Sequence, residues 1–600
     1  MWLRTLQEWQ TWAVDVNWAR ICLDTETNGL DWYTLDIWGA SFADGHNSCY
    51  VNLLYNPDKD AILDDMWQRL LSTKTLIGHN LAFDLKVLLK VYGEKVNQWI
   101  MGIDLVDTYC ADYLLDERTK HSLKGPGGCL DRHLGRNAME FKEADKAGPK
   151  SKIFAEYAEA DAVNTLDLWN VLRPKLIAED LGRVFSLECK FIPVLVEMES
   201  EGVYCDKAQM VHIGNELNAR KYELLGKLDL VFQDELRKAD GFLFGVDSSE
   251  DTFNSPAKTT RFLNDKLGFR VDNADVETME ACANHDERLK IVMEYHRVSK
   301  LLSTYIDGLD RYIAPDSRVR PSYKTISSGR LSCSSPNLHN QPKETDAVAG
   351  IDARSIWKPC PGKKFLRADY SQFQLRIAAH NANDANMLKA FSEGYDVHML
   401  VANKGKNLGI PAADLRETSP KFKEIKKTYE AVRTQFKAAN FGLLFERSAN
   451  NLAKDSKSTK EEAQAVIDSV FAMFPCLKAS RDKWHEFIRY HGYSSTLFGR
   501  RRRFARPVSE ADLRAGYNST IQGSEADIIK IAMRQVWEYL HKNKLSSRLI
   551  WQIHDEIIIE GEEEELKAIK ADIEHIMCYA VPLRCPVSVD SNIVGSYSEK

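Results

Sequence analysis

The sequence contains no apolar run of the ~18 residues that a helical membrane span requires, so a bilayer-crossing helix is excluded. Residues 1–20 carry acidic side chains and no continuous apolar stretch, which argues against a secretory signal or a transit peptide. Zinc-like spacing is missing too. The 12 cysteines are scattered without a CxxC pair, which disfavours structural zinc and a disulfide framework and predicts reduced thiols. Repeats and low-complexity linkers are absent. These absences predict a cytoplasmic protein, of a bacterial cytosol or that of a phage host. A charge excess is lacking as well: 80 basic residues against 87 acidic leave a net −7, so any affinity for polyanions has to be local. What is plentiful is chain. With 600 residues and 44% hydrophobic content, several packed domains are expected.

Strand-like runs (ARICLDTE, IWGASFA, TLIGHN) alternate with helical stretches as far as residue 168, predicting an α/β domain with a mixed sheet. Residues 173–316 turn mostly helical and charged and read as extended rather than compact. Within them NSPAKTTRFLNDKLG and RVSKLLSTYIDGLDRYI have the pattern of amphipathic helices. From residue 322 short strands and helices mix, 384–517 is strongly helical, and the chain returns to strand in LIWQIHDEIIIE. The fold class expected is multidomain, α/β followed by α+β.

In ICLDTETNGL, Asp24 and Glu26 stand two apart, and the period of a strand sends both to one face. A lone pair of this kind is usually a solvated strand end. Two further segments change its meaning: GHNLAFDLKVL offers Asp84, and YAEADAVNTLDLW offers Tyr157 and Asp161 on one helical face. Together these segments resemble the Exo I, II and III motifs of DnaQ-like 3′-5′ exonucleases, which have an RNase H-like fold, over residues 19–172. The resemblance implies that Asp24, Glu26, Asp84 and Asp161 hold two divalent metals and that Tyr157 orients the attacking water. Hard Mg²⁺ favours carboxylate oxygen, and paired ions suit an in-line displacement at phosphorus. Leu30 and Phe83 either wedge against terminal bases or pack in the core.

A second set lies further on. KKFLRADYSQFQLRIAAH runs from an apolar strand into Asp369, with a helix starting near Gln372, and RLIWQIHDEIIIE is a hairpin carrying His554, Asp555 and Glu556 at its turn. Charges in so apolar a setting need a partner, and a metal would supply it. Between them, Arg433, Lys437 and Phe441 recur every four residues over roughly 12 Å of helix. Residues 419–437 hold six basic and two acidic side chains, a local +4. The stripe suits a triphosphate with its sugar and base, or else is a basic helix with one core Phe.

These segments resemble motifs A, B and C of family A (DNA polymerase I type) DNA polymerases. SGRLSCSSPNLHNQP, KLLSTYIDGL, YDVHM and NSTIQGSEADIIK extend the likeness over nearly the whole chain from residue 19. It implies an exonuclease domain (1–175) ahead of a right-hand polymerase (176–600) with thumb 190–315, palm 316–380 and 529–600, and fingers 381–528. It implies that Asp369 and Asp555 hold two Mg²⁺ ions, with Mn²⁺ able to replace them, assisted by the Tyr370 carbonyl, and that Glu556 is an accessory acid. Arg433, Lys437 and His398 would grip the incoming triphosphate, Lys437 would protonate the pyrophosphate, and Phe441 would stack on the nucleotide. Arg330, Asn337, Arg514, Asn518, Gln522 and His554 would contact primer, template or minor groove. The partners implied are primer-template DNA and dNTPs, with a phage helicase-primase or single-strand-binding protein, acting on a monomer.

The chain departs from the family pattern in places. Gln374 stands where relatives carry Glu, the side chain expected to block a ribose 2′-OH, so a lost charge-assisted hydrogen bond and weaker ribonucleotide exclusion are expected. Phe445 replaces a Tyr that helps place the template base, and His339 a Gln. The Arg500–Arg503 run with Arg506 faces template phosphate or forms a solvated loop. Few residues precede the first exonuclease strand, leaving no room for a 5′-nuclease, and the short thumb suggests a phage replicative enzyme. Two rivals are a single-subunit RNA polymerase, for which proofreading would be unexpected, and an inactive primer-template-binding protein, for which the carboxylates would be unneeded.

Overall fold

The computed structural model describes residues 1–236, 248–444, 446, 448–456 and 458–599, without the side chains of 438–441, 443, 444, 455 and 456. The N-terminal part is built on six strands, β1 (Trp2–Leu3), β2 (Arg20–Thr27), β3 (Ile37–Ala43), β4 (Ser48–Asn52), β5 (Thr75–Gly78) and β6 (Asp104–Asp107). They lie in the order β1-β4-β3-β2-β5-β6, with β2 antiparallel to β3 and parallel to β5, the mixed sheet expected. A central strand covered on both faces explains why β2 is apolar until its acidic end. Helices α1 (Ala82–Tyr92) and α2 (Lys152–Ala178) bring Asp84, Tyr157 and Asp161 towards that end.

The section expected to be extended begins with α3 (Gly182–Glu201), which is buried over most of its surface between α1 and β6 on one side and C-terminal elements on the other. Its acidic residues misled the sequence reading, because three of them are inside the protein with basic side chains as partners. Glu188 meets Arg500 and Lys530, Glu197 meets His541, and Glu199 meets Lys86. Helix α4 (Lys207–Val231) packs on α5 (Leu289–Lys300), which continues as seven π-helical residues, Leu301–Asp307, keeping Leu301, Leu302 and Ile306 buried.

A hairpin of β7 (Ser322–Thr325) and β8 (Leu331–Ser334) precedes the C-terminal sheet. Four strands form that sheet: β9 (Lys364–Tyr370), β10 (Arg548–Ile553), β11 (Glu556–Gly561) and β12 (Val589–Val594), ordered β10-β11-β9-β12 and antiparallel throughout. Helices α6 (Phe373–Ala382), α7 (Glu430–Leu444) and the 33-residue α8 (Glu510–Lys542) surround the edge where β9 ends. Among the described residues no helix is long and apolar enough to cross a membrane.

The arginine run joins the two halves of the chain, which corrects its assignment to template phosphate or a solvated loop. Arg500, 3% exposed, donates to Asp527 at 2.7 and 2.9 Å and pairs with Glu188. Arg501 and Arg503 both reach Glu179 at 2.9 Å, and Arg503 also binds Glu117 and the Leu114 carbonyl. Four adjacent cations looked like a polyanion site, yet three of them are spent on carboxylates far away in sequence.

Candidate active sites

The pleat of β2 turns Asp24 and Glu26 to one face, and α2 presents Asp161 to them one turn after Tyr157. One carboxylate oxygen from each of Asp24, Glu26 and Asp161 lies within 4.8 Å of the others, close enough to share a cation. Asp84 stands outside this set. Its Oδ1 accepts from the Thr25 amide and hydroxyl at 2.8 and 2.7 Å, which ties the start of α1 to β2. Crowded negative charge shows in the acidities. Burial, then Asp161, pushes Glu26 up to about 8, burial pushes Asp84 up to about 7, and burial with Asp161 and Glu26 raises Asp24. The donors are all hard carboxylate oxygens and their ionised forms lack compensation, so the residues fit a divalent metal.

Sequence reasoning missed Lys124. It pairs with Asp161, lies 3.3 Å from the centre of the Tyr157 ring, and its charge opposes the rise at Asp24 and Glu26. Its only signal was a lysine in a glycine-rich stretch, KGPGG. Leu30 is exposed, and Phe83 is half-buried in the first turn of α1, next to Asp84 in sequence.

In the second site Asp369 is the last residue but one of β9, flanked across the sheet by Glu556 on β11 and Asp590 on β12. Asp555 sits in the turn between β10 and β11, where His554 is held at φ 56°, a conformation uncommon without glycine. Burial, then Asp555, Glu556 and Asp590, pushes Asp369 up to about 8. Asp590 was not foreseen, because VSVDSNIV reads as an ordinary alternating strand. Glu556 is taken up by Arg367, whose Nε donates to it at 2.6 Å and which also holds the Tyr597 carbonyl at 2.9 Å. Burial raises Asp555, while His554, Arg330 and Lys437 oppose it, which places three cationic or basic groups around that carboxylate.

Arg433 is engaged in this structure: Asp396 accepts from its Nε and Nη2 at 2.9 and 2.7 Å, while also capping the helix Val397–Gly405. His398 is buried, and burial, then Arg433 and Lys437 against Asp396, lowers it to about 4. At neutral pH it is therefore an uncharged imidazole beside the two cations Arg433 and Lys437. The Tyr370 ring stacks on Phe373 at 4.1 Å and its hydroxyl donates to the Met577 carbonyl, so the side chain belongs to the core. Arg514, Asn518 and Gln522 fall on one stripe of α8, the first exposed and the others half-buried. Asn337 is exposed and its side-chain oxygen accepts from the His339 amide at 3.0 Å. Phe445 and the side chain of Phe441 lie outside the described residues.

At Gln374 the structure adds a partner that the sequence did not show. The side-chain Nε2 donates to Glu525 Oε2 at 3.0 Å, so the amide carries a charge-assisted hydrogen bond, to an acid on α8 that sequence reasoning did not single out. The same oxygen accepts from Arg330 Nη2.

The description "3′-5′ exonuclease" matches residues 2–177 and "DNA polymerase family A" matches 223–599. The chain is similar to DNA polymerase I of Borreliella burgdorferi, 30% identical over 96% of this chain and 62% of the relative, and to that of Pseudomonas aeruginosa, 31% identical over 100% and 64%. It thus spans under two thirds of the length of these relatives. The polymerase domain of Pol1 from M. smegmatis, solved in complex with DNA primer-template and dNTP, is 24% identical with a TM-score of 0.80, covering 100% of this chain and 99% of that one. The fold is therefore that of an exonuclease domain followed by a right-hand polymerase. With more than half of its residues inside the match over 223–599, the chain belongs to DNA polymerase family A.

Proposed function

We propose that this chain extends a primer 3′-OH on a DNA template with dNTPs and removes misinserted ends by 3′-5′ hydrolysis at a separate site. The observation that carries this is the juxtaposition of Asp369 and Asp555 at one edge of the sheet, with Arg330 and Lys437 acting on Asp555, in a chain that holds a second carboxylate cluster around Asp24. The bound primer-template and dNTP of the M. smegmatis relative support the same substrates.

In this reading each site would take two Mg²⁺ ions, replaceable by Mn²⁺, which would supply Lewis-acid charge compensation for a displacement at phosphorus. Asp369, Asp555 and the Tyr370 carbonyl hold one pair, and Asp24, Glu26, Asp84 and Asp161 the other. Lys437 protonates the departing pyrophosphate, Arg433 and the neutral His398 orient the triphosphate, and Phe441 stacks on the nucleotide. Arg330, Asn337, Arg514, Asn518, Gln522 and His554 line the path of the duplex, and Tyr157 aligns water at the exonuclease site. The exonuclease domain spans 1–175, followed by thumb, palm and fingers divided as the resemblance implies.

A labelled primer-template incubated with Mg²⁺, with and without dNTPs, tests this. Asp369→Ala should abolish extension and keep dNTP-free shortening, and Asp24→Ala should do the reverse. A wild type that does neither would leave the binding-protein reading in its place.

A further inference from the structure

We propose that Glu525 is the positioning residue of the sugar gate: by holding the Gln374 amide and the Arg330 guanidinium on one carboxylate oxygen, it sets how strongly the nucleotide site prefers deoxyribose to ribose. This rests on the polymerase function proposed above.

Glu525 is 2% exposed on α8, and a carboxylate so buried needs compensation. It finds two donors on Oε2, the amide of Gln374 at 3.0 Å and the guanidinium of Arg330. Gln374 lies in the first turn of α6, five residues beyond Asp369, so the anchored amide is next to the metal-binding strand end. Its Oε1 is buried and has no hydrogen-bond partner among the described residues. With Nε2 fixed on a carboxylate, the amide cannot turn over, because that would set oxygen against oxygen. An unanchored glutamine samples several rotamers and can swing aside. The anchored one is a fixed obstacle, which is what exclusion of a 2′-OH requires.

Arg330 is held as firmly. The turn joining β7 to β8 is pressed against Arg500 and against α8, each through one glycine. Gly329, at φ +83°, lies against Arg500, where a Cβ would come within 2.7 Å of the side chain. Gly523, two residues before Glu525, faces the Ser328 carbonyl, which a Cβ would meet at 3.0 Å. One acid therefore fixes a group on the nucleotide side and a group on the primer side.

Charge explains the neutral residue at 374. Glu525 and Arg330 compensate each other, and the amide adds a donor without adding charge. A glutamate at 374 would bring a second carboxylate against Oε2. The departure at Gln374 and the acid at Glu525 form one unit, with the negative charge carried on α8 instead of α6.

Single-nucleotide insertion with matched dNTP and rNTP, read as the ratio of kcat/KM values, tests the proposal in wild type, Glu525→Ala, Glu525→Gln, Gln374→Glu and the double variant Gln374→Glu/Glu525→Gln. Glu525→Ala should lower the ratio about tenfold, chiefly through a fall in rNTP KM, the loss of roughly one charge-assisted hydrogen bond. Glu525→Gln, which keeps an acceptor oxygen, should lower it less. Gln374→Glu alone should depress dNTP insertion about tenfold, and the double variant should recover it. A merely structural role would reduce dNTP and rNTP insertion alike. An unchanged ratio in folded Glu525→Ala and Glu525→Gln, or a double variant no better than Gln374→Glu, overturns the proposal. A wild type that inserts no nucleotide removes the polymerase reading and this inference with it.

Discussion

Asp24, Glu26 and Asp84 are held where their charged forms are poorly compensated, and this gives the protein a measurable dependence on pH and metal. Folded acidities near 8 for Glu26 and near 7 for Asp84 lie above the ordinary 4.5 and 3.8. A folded value raised above the unfolded one contributes stability that is whole below the unfolded value and is lost as pH rises through the folded value. The metal-free protein should therefore lose stability between about pH 4 and pH 8. A divalent cation compensates the ionised forms, so the gain in Tm on adding Mg²⁺ should be larger at pH 8 than at pH 6, by ~2 °C or more. Equal gains at the two pH values would show that these carboxylates ionise without penalty. The carboxylates themselves were legible because strand and helix periods are local. Lys124 was not, because a loop has no period and its partner Asp161 is reached only through the fold.

At the scale of elements, close approach of backbones decides where the second site's groups point. The hairpin of β10 and β11 was read correctly from two apolar runs around HDE, and its turn residue His554 takes a positive φ to make it. The tight seat of the β7–β8 turn on α8 was not readable. Gly523 is one more residue of the long α8, and its missing side chain admits the Ser328 carbonyl and the Thr496 methyl. Gly523→Ala should cost about 1–3 kcal/mol by overpacking, seen in denaturant unfolding, and should weaken primer-template binding because Arg330 moves with the turn. Wild-type stability in that variant would mean that the turn yields at no cost.

For the whole molecule, the joint between the two halves rests on buried ion pairs. Arg500 lies between Glu188 and Asp527, and Glu188 also meets Lys530 at 2.6 Å. Burial alone would raise Glu188, but Lys530 and Arg500 hold it down to about 2. Removing one member leaves a charge without its partner, so Arg500→Ala should destabilise by roughly 3–5 kcal/mol. Arg506→Ala, which loses a bond to the Tyr490 carbonyl at an exposed place, should stay within about 0.5 kcal/mol. Thermal and denaturant unfolding of both variants checks the contrast, and equal small effects would show the run to be surface charge after all.

The sequence by itself determined which carboxylates stand at the strand and helix positions of the two clusters, and the order of the parts. Asp24 with Glu26, Tyr157 with Asp161, and Asp369 at the end of an apolar strand follow from periods of two and 3.6 and from where apolar runs stop. Only the tertiary structure decided what those residues face. Gln374 meets Glu525 across 151 positions and Arg500 meets Glu188 across 312, while three arginines that looked available to DNA, Arg500, Arg501 and Arg503, are committed to carboxylates within the protein. The physical reason is that a side chain's period is set by its neighbours along the chain, whereas its charge is compensated by whichever group the fold brings within hydrogen-bond reach.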